Sequence, residues 1–330
     1  MRLSRERILS EAASTGFRPE VFEKVAHLFS LLQSIWNHPF LKNRLVLKGG
    51  TALNLFIFNL PRLSVDIDLN YIGAPDKETM LAERPKMDHA VGAVCQREGF
   101  MIRQSPTEHA GGKWLLRYES AFGHGGNLTI DVNFMFRIPL WPTTLSKSHQ
   151  VGSYMAEQIP ILDVHEIAAG KLCALLSRQT GRDLFDAHQL LTKKILRREH
   201  LRLAFVVYGA MNRKDWRTVS EKDISYSANN LMNELVTVTR FTVTDNIQDP
   251  ERWASSLVED CRQAISIVLP FTEGEREFLD RILDRGDIEP SLITNNEEMV
   301  SRIRNHPGLQ WKALNVREFK KRLSGKCGCV

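Results

Sequence analysis

Two aspartates, Asp66 and Asp68, lie one residue apart in a segment where apolar and polar residues alternate. Aspartate is disfavoured in β-strands, and two like charges on one face of a strand repel each other. Such a pair therefore requires a compensating cation. The simplest candidate is a divalent metal ion that carries a nucleotide.

The alternation predicts a strand over residues 63–71 with one buried face and one polar face. Its apolar face consists of Leu63, Val65, Ile67, Leu69 and Tyr71. Its polar face consists of Ser64, Asp66, Asp68 and Asn70. We expect the apolar face to lie on the core and the polar face to form the wall of a cleft.

A Gly-Gly-Thr turn precedes this strand. Residues 44–47 favour a short strand, and residues 51–59 favour a helix that a proline ends. The turn leaves backbone N–H groups at the start of a helix, where an anionic phosphate is favoured. We therefore predict that Gly49, Gly50 and Thr51 bind nucleotide. An amphipathic strand after a glycine turn is common without such a site, but its spacing to the two aspartates favours the functional interpretation.

A third carboxylate, Asp131, follows from the same alternation. Residues 113–122 and 127–136 indicate the two strands of a hairpin joined by a glycine-rich turn, and Asp131 lies on the polar face of the second strand. If the strands are neighbours, Asp66, Asp68 and Asp131 converge on Mg²⁺ or Mn²⁺, hard cations that prefer oxygen ligands. The alternative for Asp131 is a solvent-facing side chain on an edge strand.

A helix is predicted over residues 164–177, capped by Asp163 with Glu166 three residues later. Lys171 and Arg178 fall on one stripe of this pattern among apolar neighbours. Two cations on the same side suit the oxygens of a triphosphate. The alternative for Lys171 is a side chain whose ammonium group extends to water.

A second helix opens at Arg182 and includes two more acids, Asp183 and Asp186. An acid in a first turn stabilises the helix dipole, which is a sufficient structural reason for Asp183. Arg182 and Asp186 are four residues apart, the spacing of an ordinary surface ion pair. The residues alone leave a structural and a catalytic role open for both acids.

Four sequence blocks occur in the order GGTALNL, RLSVDIDL, KLCALLSR and GRDLFDAHQL. Together they resemble the motifs of the AbiEii/AbiGii nucleotidyltransferase toxins, a family that includes abortive-infection toxins and the MenT-type toxins of mycobacteria. The resemblance covers residues 48–190. Many members have Gly-Ser where this chain has Gly50-Thr51, and threonine retains the hydroxyl group.

The resemblance implies an α+β fold, with a DNA-polymerase-β-like nucleotidyltransferase core (a mixed sheet with flanking helices) followed by a mainly helical C-terminal domain. It also implies a toxin that a cognate antitoxin protein restrains. Such a toxin transfers a nucleotide from an NTP to an acceptor hydroxyl in a metal-dependent reaction, in the MenT branch at the tRNA 3′ end. In this sequence it assigns phosphate binding to Lys171 and an active-site acid to Asp186, with Asp183 as second choice. Asp186 then orients Lys171 or accepts the proton of the attacking hydroxyl.

We therefore predict two domains, residues 1–155 and 156–330, with the active site between the two lobes. The predicted catalytic residues are Asp66, Asp68, Asp131, Lys171 and Asp186. The predicted nucleotide-binding residues are Gly49, Gly50, Thr51, Lys171, Arg178 and Asp183. The first three aspartates are the predicted metal ligands.

The composition is compatible with this prediction. The 330 residues carry a net charge of +5, a mildly basic balance that allows tRNA binding. Neither a signal peptide nor a membrane span is predicted, so the expected location is the cytoplasm. Five dispersed cysteines, including Cys327 and Cys329 in a basic tail, favour reduced thiols over disulfides. His109, His124 and His165 lack the spacing of zinc ligands.

Other functions remain open from the sequence. The nucleotidyltransferase could modify a small molecule or a protein side chain, or the chain could be a non-catalytic NTP-binding partner module. A pure binder has no need for a costly cluster of like charges, which argues against the last. Basic residues of the C-terminal half form either an RNA-facing surface or a solvated face: Arg197, Arg198, Arg202, Lys214, Arg217, Lys312, Arg317, Lys320, Lys321 and Arg322.

Overall fold

The chain divides into two compact units in the computed structural model, which describes residues 3–106, 111–178, 180–193, 195–226 and 228–326. The first unit consists of the chain up to Arg137, Trp141–Ile167 and Ser227–Trp253. The second consists of Ile138–Leu140, Ala168–Tyr226 and the chain from Ala254 onward. Residue 155, the predicted boundary, lies inside the first unit. His109, Cys327 and Cys329 lie outside the described residues.

Seven strands form a single mixed sheet within the described part of the first unit. They are β1 (Leu45–Lys48), β2 (Asp66–Tyr71), β3 (Met101–Gln104), β4 (Gly111–Glu119), β5 (Gly125–Asn133), β6 (Thr144–Ser146) and β7 (Ile159–Ile161). Their order across the sheet is β3-β4-β5-β2-β1-β7-β6. β2 runs parallel to β5, and β1 runs parallel to β7; the other neighbours are antiparallel.

Helices make up most of the remaining described chain. The α-helices are α1 (Arg5–Thr15), α2 (Pro19–Asn37), α3 (Gly49–Thr51), α4 (Lys77–Arg97), α5 (Val164–Ser177), α6 (Gly181–Thr192), α7 (Arg198–Ala210), α8 (Ala228–Leu235), α9 (Phe241–Thr244), α10 (Pro250–Ala264), α11 (Glu273–Asp280), α12 (Glu297–Arg304) and α13 (Pro307–Lys326). Two π-helical turns extend α3 and α11: Ala52–Ile57 and Arg281–Arg285. Short 3-10 turns occur at Trp216–Thr218, Glu221–Asp223, Ile265–Ile267 and Pro290–Leu292.

The long helix α2 covers the sheet in the first unit. It packs against β2, β5 and β7. The fully buried residues on its apolar stripe include Val25, Leu28, Leu31, Leu32 and Ile35. Burying one such side chain contributes about 1.5–3 kcal/mol. This apolar interface therefore fixes one face of the sheet and leaves the polar residues of β2 on the other.

One sequence expectation about the helices is wrong. The charged residues 75–99 predict a helix interrupted at Pro85, yet α4 is continuous through this proline. A proline inside a helix costs about 3 kcal/mol because it removes a hydrogen bond and clashes with the preceding turn. Met87, Val91 and Val94 are all buried, and together they outweigh that cost.

The mixed sheet with flanking helices and the helical C-terminal region agree with the predicted fold class. Among the described helices, none combines the length and the apolar character that crossing a membrane requires.

Candidate active site

A row of four charged residues crosses the sheet on neighbouring strands. β2 and β5 are neighbours that pair in parallel, with Asp68 opposite Asp131. Lys48 on β1 lies opposite Asp68, and Lys113 on β4 lies opposite Asp131. Residues that oppose each other in adjacent strands share a face of the sheet. Lys48, Asp68, Asp131 and Lys113 are called the charged row below.

Asp66 extends the row along β2. It lies two residues before Asp68, hence on the same face, and opposite Thr129 of β5. The polar face of β2 therefore presents two carboxylates, and β5 adds a third. Two like charges directly opposite each other destabilise a sheet. The flanking lysines offset this repulsion, and the Lys113 ammonium lies 3.8 Å from Asp131 Oδ2.

Lys48 is a residue that the sequence interpretation missed. Its side chain is half-buried and its ammonium lies 5.8 Å from the centre of the Phe136 ring. Burial lowers its pKa, and the nearby Asp68 and Asp131 carboxylates act in the opposite direction. A signal was available in the sequence, because a lysine that ends an apolar strand directly before Gly-Gly occupies the rim of the predicted phosphate turn.

The Asp68 carboxylate lies directly against Gly49. Gly49 has a φ of 70°, a left-handed conformation that favours glycine. A Cβ atom at this position would overlap Asp68 Oδ2 and approach Asp68 Cγ to 3.1 Å. Two properties of glycine are therefore required at position 49. It adopts the left-handed φ of the turn, and it has no Cβ atom that would collide with the Asp68 carboxylate.

The Thr51 side chain links this turn to the start of β2 through hydrogen bonds. Its hydroxyl is fully buried, lies 3.0 Å from Ser64 Oγ and donates to the backbone carbonyl of Asp66. The Gly50 carbonyl also stabilises the turn, because it accepts a hydrogen bond from Asn54 Nδ2 at 3.0 Å. The Thr51 side chain thus positions Asp66, and the nucleotide-binding role predicted for Thr51 depends on its backbone N–H.

A second cluster joins α5 and α6 in the second unit. The Lys171 ammonium lies 2.7 Å from Asp186 Oδ2 and donates to Asp183 Oδ1 at 3.2 Å. The Arg178 guanidinium donates to Asp183 Oδ2 at 2.9 Å. Thr180 caps α6 and donates to the same Asp183 oxygen. Lys171, Arg178, Asp183 and Asp186 are called the lysine cluster below.

Three of the four side chains of the lysine cluster are almost fully buried. The side chain of Lys171 is 13% exposed and that of Asp186 is 0% exposed, whereas Arg178 is exposed. Burial disfavours the ionised form of Asp183, but Lys171 and Arg178 outweigh this effect and lower its pKa. Lys171 is therefore an ion-paired side chain rather than one that extends to water.

The charged residues of the predicted site form two groups. The structure brings Asp66, Asp68 and Asp131 together on the sheet of the first unit. It brings Lys171, Arg178, Asp183 and Asp186 together between two consecutive helices of the second unit.

A family comparison decides what kind of protein carries these groups. Residues 30–258, which include both the charged row and the lysine cluster, match the family described as nucleotidyl transferase AbiEii toxin of type IV toxin–antitoxin systems. The chain belongs to this family. It is thus a toxin of the nucleotidyltransferase type, and its family implies an NTP substrate and an antitoxin partner.

A solved structure supports the fold of this AbiEii-family toxin. MenT4, a nucleotidyltransferase toxin from Mycobacterium tuberculosis H37Rv, is similar to it with a TM-score of 0.59 and 18% sequence identity. The alignment covers 94% of this chain and 99% of the MenT4 chain. At this identity the likeness concerns the fold, and the predicted nucleotidyltransferase fold class is confirmed. No curated protein sequence gives a significant match.

The carboxylates of this AbiEii-family toxin have the donor chemistry for a hard divalent cation. In the part of the chain that is described, no three His, Cys, Asp or Glu side chains form a metal site on their own. Mg²⁺ is commonly held by one or two carboxylates, with substrate phosphates and water completing its six ligands. Asp68 and Asp131, opposite each other on the sheet, fit that arrangement.

Proposed function

We propose that this AbiEii-family toxin transfers a nucleotide from an NTP to an RNA hydroxyl, with the tRNA 3′ end as acceptor, in a reaction that requires Mg²⁺ or Mn²⁺. One observation carries the proposal: Asp68 and Asp131 oppose each other on parallel strands, with Gly49 leaving room for the Asp68 carboxylate. Two like charges at this spacing destabilise the sheet, so their presence points to a role other than stability. These carboxylates would hold a divalent cation, which would supply positive charge to the triphosphate of the NTP.

The residues of the charged row have separate roles in this proposal. Asp66, Asp68 and Asp131 would hold the cation, which would supply positive charge next to the phosphates. Asp131 also faces the incoming hydroxyl in this proposal. Lys48 supplies positive charge next to Asp68, and the backbone N–H groups of Gly49, Gly50 and Thr51 bind phosphate oxygens. A bond forms between the acceptor oxygen and the α-phosphorus, and pyrophosphate leaves.

The lysine cluster has a phosphate-binding role of its own in this proposal. Arg178 is exposed, so its guanidinium is accessible to an anionic ligand while it holds Asp183. Asp186 is buried against Lys171 and fixes the position of its ammonium. In this proposal Asp186 orients Lys171, and Asp183 orients Arg178.

The proposed setting follows from the substrates. NTPs and tRNA are both present in the cytoplasm, where we propose that the toxin acts until its antitoxin binds. Transfer with release of pyrophosphate makes it a nucleotidyltransferase of the EC 2.7.7 type.

The test uses each radiolabelled NTP with Mg²⁺ and either total tRNA or cell lysate. We expect label in tRNA with the wild-type chain and none with Asp68→Asn. Asp245→Asn is the matched control, because Asp245 is an exposed aspartate of the same unit outside the charged row. Omitting the divalent cation should stop the transfer by the wild-type chain.

Each other outcome has a defined meaning. Label in a protein or a small molecule would show that this molecule, and not RNA, is the acceptor. NTP binding without any labelled product would identify a binding module. Transfer by Asp68→Asn at the wild-type rate would remove the charged row from the mechanism.

A further inference from the structure

The last helix of the second unit, α13, carries a dense positive charge. Five basic residues lie between positions 312 and 322, against a single acidic residue, Glu318. Some of these cations stabilise the protein itself: Lys312 donates to the Asn212 carbonyl at 2.7 Å, and Arg317 donates to the Gly286 carbonyl. A helix of this charge attracts polyanions over long range.

Two large aromatic side chains are exposed on the same helix. Trp311 is 56% exposed and Phe319 is 63% exposed. With Asn315 between them they follow a four-residue spacing, so all three lie along one stripe, and the two rings are about 12 Å apart along the helix axis. Exposed aromatic rings at regular spacing indicate a binding surface.

This stripe forms one wall of an open groove of about 460 Å³. Lys312 and Lys320 line it from α13, and the exposed Arg213 lines it from the loop after α7. Asp284 also lines it and is bonded to the Arg217 guanidinium. The groove, called the aromatic groove below, therefore combines ring faces with cations.

Several of the basic residues that could form an RNA-facing surface are engaged in ion pairs within the protein. Arg202 is paired with Glu275, Lys214 lies 2.7 Å from Asp223, and Arg217 is paired with three aspartates. These cations stabilise the second unit. In the aromatic groove, basic residues occur together with exposed rings.

We propose that the aromatic groove binds a single-stranded segment of RNA, with bases stacked on Trp311 and Phe319 and phosphates near the cations. Stacking on aromatic rings in a basic groove is how proteins hold unpaired nucleotides with little sequence preference. Lysine is depleted from the centres of protein–protein interfaces, which argues against a protein occupant. The inference rests on the proposed function, since it concerns how the RNA acceptor is held.

The test measures RNA binding without NTP, by fluorescence anisotropy of a labelled single-stranded RNA of about 12 nucleotides. Trp311→Ala and Phe319→Ala are each expected to weaken binding about ten-fold, the loss of one stacked base. Leu314→Ala is the matched control, because Leu314 is equally exposed on the same helix but does not line the groove. Arg213→Ala should reduce the salt dependence of binding by about one unit of log–log slope.

Two further probes separate stacking from charge. A blunt duplex of the same sequence should bind more weakly than the single strand, because its bases are already stacked on each other. Inorganic polyphosphate, which has no bases, should compete poorly. Circular dichroism and the thermal midpoint of each variant check that truncation leaves the fold intact.

Equal RNA affinity in the Trp311, Phe319 and Leu314 variants would overturn the proposal, as would absent RNA binding or full competition by polyphosphate. Loss of antitoxin binding with unchanged RNA binding would assign the groove to a protein instead. Because NTP is omitted, Asp68→Asn should bind RNA like the wild type. A wild-type chain that binds RNA in this way but shows no transferase activity would therefore contradict the proposed function and leave the groove proposal intact.

Discussion

The charged row and the lysine cluster both hold carboxylates beside lysines, but they do so in opposite ways. In the row, Lys113 and Asp131 are 3.8 Å apart, and their side chains are 62% and 35% exposed. In the cluster, Lys171 and Asp186 are 2.7 Å apart and nearly buried. Removing one partner of a buried pair leaves an uncompensated charge, whereas an exposed pair contributes little to stability. The row is therefore open to a ligand, whereas Arg178 is the exposed cation of the cluster.

The largest difference in stability between variants of the two regions should follow from breaking the buried Lys171–Asp186 pair. Lys171→Met leaves Asp186 as a buried, uncompensated charge and is expected to lower the free energy of unfolding by roughly 3–5 kcal/mol. The double variant Lys171→Met/Asp186→Leu should recover most of this loss, because it removes both charges. Asp68→Asn should unfold at the wild-type urea concentration. Urea denaturation of all three variants measures the contrast.

Wild-type stability in Lys171→Met would contradict the buried pair, and transferase activity in the double variant would contradict the role of Lys171 in the reaction. Both readouts are needed, since a destabilised enzyme and a disabled enzyme lose activity alike.

The glycine turn gives the next largest effect. Gly49→Ala places a Cβ atom against the Asp68 carboxylate at a left-handed φ, so we expect a loss of stability of about 1–2 kcal/mol. Displacement of Asp68 should also reduce transfer roughly a hundred-fold. Gly99→Ala is the matched control, because Gly99 has a φ of 87° and nothing within 4 Å of an added Cβ. Its variant should lose a similar stability and keep its activity; an equal activity loss in both would refute the contact with Asp68.

A smaller effect depends on pH. Because the pKa of Asp183 is lowered in the folded protein, its ionised form stabilises the fold above the unfolded pKa of about 3.9. This contribution disappears as the pH falls through the lower, folded value. Asp183→Asn should therefore be less stable than the wild type at neutral pH, with a gap that narrows as the pH falls below the unfolded pKa of Asp183 and closes once the folded carboxylate is protonated. Urea titrations at several pH values test this, and a gap independent of pH would rule out the ionised carboxylate as its cause.

The smallest effect is expected at the exposed end of the row. Lys113→Met removes a partly exposed partner of Asp131 and should change the free energy of unfolding by less than about 0.5 kcal/mol. Thermal unfolding in low and high salt measures it. A loss as large as that of Lys171→Met would erase the distinction between the two regions.

The parts of the site that depend on local pattern could be predicted from the sequence. The alternation around Asp66 and Asp131 identified β2 and β5, and the helical pattern after Asp163 identified α5 with its bounds. The cap also formed, since the His165 N–H donates to Asp163 Oδ1. These features depend on residues close together in the chain, which is why a local pattern reports them.

The parts that depend on distant residues could not be predicted. Only the register between β2 and β5 shows that Asp68 lies opposite Asp131, and register is set by tertiary packing. Glu166 was expected to complete the cap of its own helix, and its carboxylate accepts a hydrogen bond from the distant Trp141 N–H. The π-helical turn after Gly49 has no sequence signature of its own.

The return of Ser227–Trp253 to the first unit has a consequence for synthesis. The Leu63 N–H donates to the Val238 carbonyl, and the Phe241 N–H donates to the Gly16 carbonyl, so late residues complete contacts of early ones. A ribosome must therefore add the residues up to 253 before the sheet-bearing unit has all its parts. Loop closure over such a distance slows folding. The emerging toxin thus passes through a long stage in which its carboxylates exist but their scaffold is incomplete.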